Sequence, residues 1–177
     1  MWNKRGVSAI VATVLIVLIT IAAASILFTT IVPFVKNSLS SSTECLPYKT
    51  YIQFEKQSGY TCYDANNLTG FTVRVSAPSD GSDALERFDV AFSANLSLRR
   101  ASVVDQADVN NGIEGVRMLD KTVSKISVAK IGEVQTYVYN AGAIRPAKIE
   151  VYPILKSGKI CEKSDEVSLT SCKGVNL

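Results

Sequence analysis

Histidine is absent from this 177-residue chain, which excludes every catalytic or zinc arrangement that depends on it. Charge is missing over a long stretch: no Asp, Glu, Lys or Arg occurs in the 29 residues from Val7 to Val35. Blocks of Lys or Arg are missing too. The formal net charge is +3, and it falls to +1 when Lys4 and Arg5 are set aside. That is too little to hold nucleic acid electrostatically. Cysteine is sparse, and its four copies form no C-x-x-C pair. Phosphate-loop, dinucleotide and nucleophile-elbow motifs are lacking. The chain therefore reads as a non-enzyme without cofactor, metal or nucleic-acid partner.

What the chain does have is one long apolar run. Met1-Trp2-Asn3-Lys4-Arg5-Gly6 leads directly into Val7-Ser8-Ala9-Ile10-Val11-Ala12-Thr13-Val14-Leu15-Ile16 and onward to Val35. As a helix, this run spans ~43 Å, more than the ~30 Å hydrocarbon core of a bilayer. Lys and Arg are costly in hydrocarbon, so Lys4 and Arg5 are expected on the cytoplasmic side with the remainder outside. Three readings stand. The segment can be a permanent anchor. It can be a signal peptide cut after Ala22-Ala23-Ala24, although its apolar run is about twice the usual ~7–15 residues. Or only the basic peptide is removed, between Gly6 and Val7, where glycine lets an extended backbone enter a protease cleft.

Lys4-Arg5-Gly6 followed at once by Val7-Ser8-Ala9-Ile10-Val11-Ala12 resembles the class III signal of archaeal type IV pilins and archaellins. The resemblance covers roughly residues 4–35. It implies cutting after Gly6 by a prepilin peptidase, handling by a pilus assembly machinery, and polymerisation with copies of the same chain. Bacterial pilins usually carry Glu at the fifth mature position. Val11 stands there in this chain, which aligns it with the archaeal branch. The implied route is membrane first, then an extracellular surface filament for adhesion or aggregation. The alternative is a monomeric, membrane-anchored extracellular β-sandwich that binds a ligand.

The domain plan is a leader over 1–6, a helix over 7–37, a Ser-rich linker over 38–47 and a head over 48–177. Within the helix, Ala9, Ala12, Thr13, Ile16, Thr20 and Ala23 are the candidate packing positions. Small residues allow helices to approach closely where lipid removes the hydrophobic drive. Pro33 predicts a bend or break near the helix end. Ser38 to Thr43 predicts a flexible connection.

From Tyr48 onward the apolar period becomes two. Phe71–Ser76 alternates, and Phe88 to Leu98 places Phe88, Val90, Phe92, Ala94, Leu96 and Leu98 on one face of a single predicted strand. Ser79-Asp80-Gly81-Ser82 reads as a turn. Further strands are expected at 123–130, 133–140 and 147–155, with a weaker one at 50–55. A short hairpin is expected from 160–161 and 167–169, and 101–121 reads as loop. Roughly six to eight short strands predict an all-β sandwich, of which the immunoglobulin-like type is one form.

The cysteines Cys45, Cys62, Cys161 and Cys172 suggest disulfides outside the cytoplasm, with three possible connectivities. The shortest loops come from Cys45–Cys62 and Cys161–Cys172, which is the expectation. Asn67-Leu68-Thr69 and Asn95-Leu96-Ser97 are N-glycosylation triplets, Asn95 being expected on the polar side of its strand. Asp105, Asp108, Asn110 and Glu114 lack calcium-loop spacing and read as a solvated loop. The seven tyrosines are expected to pack in the core with hydroxyls toward the surface.

Overall fold

The computed structural model describes the backbone of residues 4–78, 85–95 and 97–177, and the side chains of these except 4–9 and 37–42. The predicted turn at 79–82, Leu96 and Met1 to Asn3 lie outside the described residues. The chain divides into two compact units, Met1–Glu44 and Cys45–Leu177.

The first unit is helical: α1 over Lys4–Ile26, a π-helical segment over Leu27–Ile31, and α2 over Val32–Cys45. Pro33 does not break it. Proline lacks an N–H, and in α register its ring collides with the carbonyl four residues back. The preceding turn widens instead, and the Val32 N–H donates to the Leu27 carbonyl, five residues away. Hydroxyls bond the carbonyls beside the wider turn. Thr29 Oγ1 donates to Ser25 O at 2.8 Å and Thr30 Oγ1 to Ile26 O at 2.6 Å. The expected flexible linker is also corrected: 38–45 continues α2, followed by a 3-10 turn at Leu46–Tyr48. Once a helix is nucleated, each added residue closes one more backbone hydrogen bond, which outweighs serine's modest helix penalty.

The second unit is a sandwich of two antiparallel sheets. Its strands are β1 Ile52–Phe54, β2 Cys62–Tyr63, β3 Leu68–Val75, β4 Leu85–Ala94, β5 Ser97–Val104, β6 Val116–Met118, β7 Val134–Asn140, β8 Lys148–Leu155 and β9 Asp165–Ser168. One sheet runs β1-β3-β7-β6, with β2 also on β3, and the other runs β5-β4-β8-β9. This is the immunoglobulin strand order, A-B-E-D against C′-C-F-G. β1 and β2 meet the same edge of β3, pairing with Val73–Val75 and with Thr69–Gly70.

Several expected elements differ. The 88–98 run is not one strand. Ala94 pairs with Ser97, so the chain reverses there, and Asn95 at φ 48° supplies the left-handed backbone such a tight turn needs. Reversal puts Leu98 opposite Ser93 on the solvent side, 58 % exposed. The expected loop at 101–121 contains the end of β5 and all of β6. Residues 123–130 form no strand and keep one bridge, Lys125 to Asp108. The expected C-terminal hairpin is replaced by β9 pairing with β8, while Ile160 bridges Ile154.

The core lies between the sheets. Phe71, Val73, Phe88, Val90, Phe92, Val103, Tyr137, Tyr139, Ile149 and Val151 are all within 1 % of complete burial. Aromatic pairs organise it: Phe92 stacks on Tyr139 at 4.0 Å between ring centroids, Phe71 on Tyr137 at 5.4 Å, and Phe88 meets Tyr137 edge-on at 5.6 Å. Of the tyrosines, Tyr48, Tyr51, Tyr137 and Tyr139 are buried and Tyr60, Tyr63 and Tyr152 half-buried, so the expected core packing holds. The expected surface placement of the hydroxyls does not hold for the central pair: Tyr137 Oη donates to Ser127 O at 2.8 Å, and Tyr139 Oη is buried.

Candidate functional site

The candidate surface is the apolar helix. The span Ile10–Lys36 is long and apolar enough to cross a membrane. Every described side chain in it is exposed. An exposed Ile, Leu, Val and Phe surface of this extent is unfavourable in water and demands lipid or other helices as its surroundings. Its polar atoms do not spoil that surface. Thr13 Oγ1 donates to Ile10 O and Thr20 Oγ1 to Val17 O, both at 2.8 Å, and Ser25 Oγ donates to Ile21 O at 2.9 Å. Each hydroxyl is therefore satisfied by its own helix, as an apolar environment requires.

All six predicted packing positions fall on α1. At 3.6 residues per turn, Ala9, Ala12, Thr13, Ile16, Thr20 and Ala23 share an arc of about 100°. Bulky Val14 and Ile21 lie on the far side of that arc. The arc is made mostly of small residues, with Ile16 its one bulky member. The predicted cleavage residues Lys4, Arg5, Gly6 and Val7 form the first turns of α1; their side chains lie outside the described residues. Cleavage after Gly6, which the resemblance implies, would require this end to unwind into an extended backbone, and glycine inside a first turn lowers that cost.

All four cysteines are oxidised, but not in the expected pairs. Cys45 joins Cys161 and Cys62 joins Cys172, across 116 and 110 residues. The reason is topological. The N-terminal edge and the C-terminal strand run side by side in the same direction. Ile52 N donates to Ser164 Oγ at 3.1 Å, Phe54 N to Asp165 Oδ2 at 2.8 Å, and Tyr63 bridges Ser171 in parallel. Each early cysteine therefore meets a late one. Two disulfides suggest an oxidising environment outside the cytoplasm for the head.

The two glycosylation triplets differ in access. Asn95 and Ser97 are exposed at the β4–β5 turn. Asn67, at φ 62°, is half-buried and its Oδ1 accepts from Arg145 Nε at 3.3 Å. Thr69 is completely buried in β3, and its hydroxyl has no partner among the described residues. The acidic residues of 105–114 do not converge. Asp105 accepts from Val128 N, Asp108 pairs with Lys125 and Glu114 pairs with Arg99.

The outer face of the β5-β4-β8-β9 sheet carries a charge network that the sequence reading did not anticipate. Glu150 on β8 accepts from Lys148 Nζ at 2.7 Å and from Tyr152 Oη at 2.7 Å, and Glu166 accepts from Lys148 and Lys163. Lys148 foremost, then Tyr152, hold the Glu150 carboxyl down at about 2. Arg100 lies over the Tyr152 ring at 5.5 Å.

No known protein family, no curated protein and no solved structure matches this chain; what it does is read from its own residues.

Proposed function

We propose that this chain is a structural subunit of a surface filament of the archaeal type IV pilin and archaellin kind, assembled through its N-terminal helix. The observation that carries this is the fully exposed, uncharged helix from Ile10 to Val35 with its small-residue face, set directly behind Lys4-Arg5-Gly6. In lipid such a helix is stable. Drawn out of lipid, it is stable only when buried among copies of itself. A repeated head-to-tail contact that does not close generates an open helical polymer. Burying ~1,500 Å² of apolar helix per subunit supplies tens of kcal/mol before ordering costs, so disassembly is rare.

In this reading the membrane is the site before assembly, a prepilin peptidase cuts after Gly6, and the oxidised head faces the cell exterior. The function is adhesion or aggregation, and Asn95 carries a glycan. The test is the intact mass of the chain recovered from sheared surface material, together with negative-stain microscopy of that material. A mature terminus at Val7 within filaments is expected. A chain that retains Met1 and stays with the membrane overturns the proposal in favour of an anchored monomeric binding module, and a terminus at Ser25 overturns it in favour of ordinary secretion.

A further inference from the structure

Arg117 is the only charged residue found buried among the described residues, 9 % exposed. Its neighbours Val116 and Met118 point into the core, so alternation along β6 turns Arg117 to the outer face of the sheet. There it lies across from Val138 of β7, which in turn pairs with Gly70 of β3. Arg117 borders a cavity of about 240 Å³ lined also by Val109, Asn111, Asp120, Lys121 and Val123.

A guanidinium carries five N–H donors. Here one of its nitrogens, Nη1, donates to Met118 O at 2.9 Å. Asp120 lines the same cavity but forms no ion pair with Arg117 among the described residues; its Oδ1 accepts from Thr122 N at 2.9 Å and Thr122 Oγ1 at 2.7 Å. Lys121 Nζ, at the rim, donates to Leu177 O at 3.1 Å. Loss of water lowers the guanidinium pKa, and the charge of Asp64 only partly offsets this. A buried cation without a close counter-ion is destabilising, and replacing it by an apolar side chain of similar size is often neutral or better. Keeping it is accounted for by a ligand that brings the missing negative charge. The planar fork matches a two-oxygen anion. The cavity has room for about one sugar ring, with Asn111 and Asp120 available to hydroxyls and Val109 and Val123 to its apolar face.

We propose that this cavity is a binding site for an acidic sugar residue, whose carboxylate is received by Arg117. The site lies wholly within the head, so its test needs no filament and stands apart from the assembly question.

The test follows thermal unfolding of the full chain in non-ionic detergent with sodium glucuronate, against glucose, sodium sulfate and sodium chloride at equal ionic strength. Glucuronate is expected to give a saturable rise in Tm, since a ligand that binds only the folded state stabilises it by mass action. Glucose and chloride are expected to give none. Arg117→Met is expected to match or exceed the native Tm without ligand and to lose the response. Arg117→Lys keeps the charge without the fork and is expected to weaken binding about tenfold. The proposal is overturned if glucuronate has no effect, if glucose acts equally, or if either variant responds like the native chain. An equal rise with sulfate overturns the sugar assignment, and an equal rise with N-acetylglutamate transfers the site to acidic peptides.

Discussion

Glu150 shows how one side chain reports its surroundings. Its carboxyl is held at about 2 in the fold against an ordinary 4.5. The folded state therefore binds the proton less readily than the unfolded state. The associated stability is complete above pH ~4.5 and is lost as pH falls toward 2. Lys148 and Lys163 are each 39 % exposed, so solvent screens much of the attraction. Glu150→Gln is expected to cost roughly 1 kcal/mol at neutral pH and to flatten the dependence of Tm on pH between 4.5 and 2, measured by circular dichroism. Gly70 is a second such residue. A Cβ there collides with the Tyr60 carbonyl and the Leu177 side chain. Gly70→Val is expected to lose about 2 kcal/mol by overpacking, read from the midpoint of denaturant unfolding. Arg117 was invisible as a site in the sequence because its stretch reads as loop. Only the placement of β6 beside β7 reveals an arginine between two core residues.

The helix is the element on which the proposed function turns. Its uncharged length, its small-residue arc and its basic prelude are all sequence properties, because a helix places residues by local spacing alone. Ala12→Leu is expected to cut the yield of sheared filaments about tenfold by separating helices that need close approach. Ile21→Leu, on the opposite side of α1, is expected to leave the yield unchanged, and the head's Tm is expected to stay constant in both. The π-helical segment is less legible: Pro33 advertises a disturbance without saying whether the helix stops or widens. The Thr29 and Thr30 hydroxyls bond carbonyls four residues back across this segment, as Ser25 does within α1. Pro33→Ala restores an N–H. It is expected to return Leu27–Ile31 to α register, seen as slower amide exchange across that turn in micelles.

Across the whole molecule, the disulfides bind the beginning of the head to its end. Loops of 116 and 110 residues restrict the unfolded chain far more than the short loops that sequence proximity favours. By loop-closure entropy each is worth roughly 4–5 kcal/mol, and the two overlap, so they do not sum fully. Cys62→Ser with Cys172→Ser is expected to lower stability by roughly 4 kcal/mol, measured by guanidinium titration. Reduction of both bridges is expected to lower it further. The β4–β5 turn illustrates the same dependence on partners: alternation from Phe88 to Leu98 fits one long strand as well as two short ones. The pairing of Ala94 with Ser97 decides between them.

Local physics accounts for what the sequence determined unaided. Period and charge are carried by neighbours along the chain, so the exposed apolar helix, the β character of the head and its two-sheet class were all readable. Tertiary structure alone decided which cysteines meet, where the long alternating run folds back, and that Arg117 is buried. Each of these depends on residues far apart in sequence arriving at one edge or face. Spacing along the chain contains no record of that arrival.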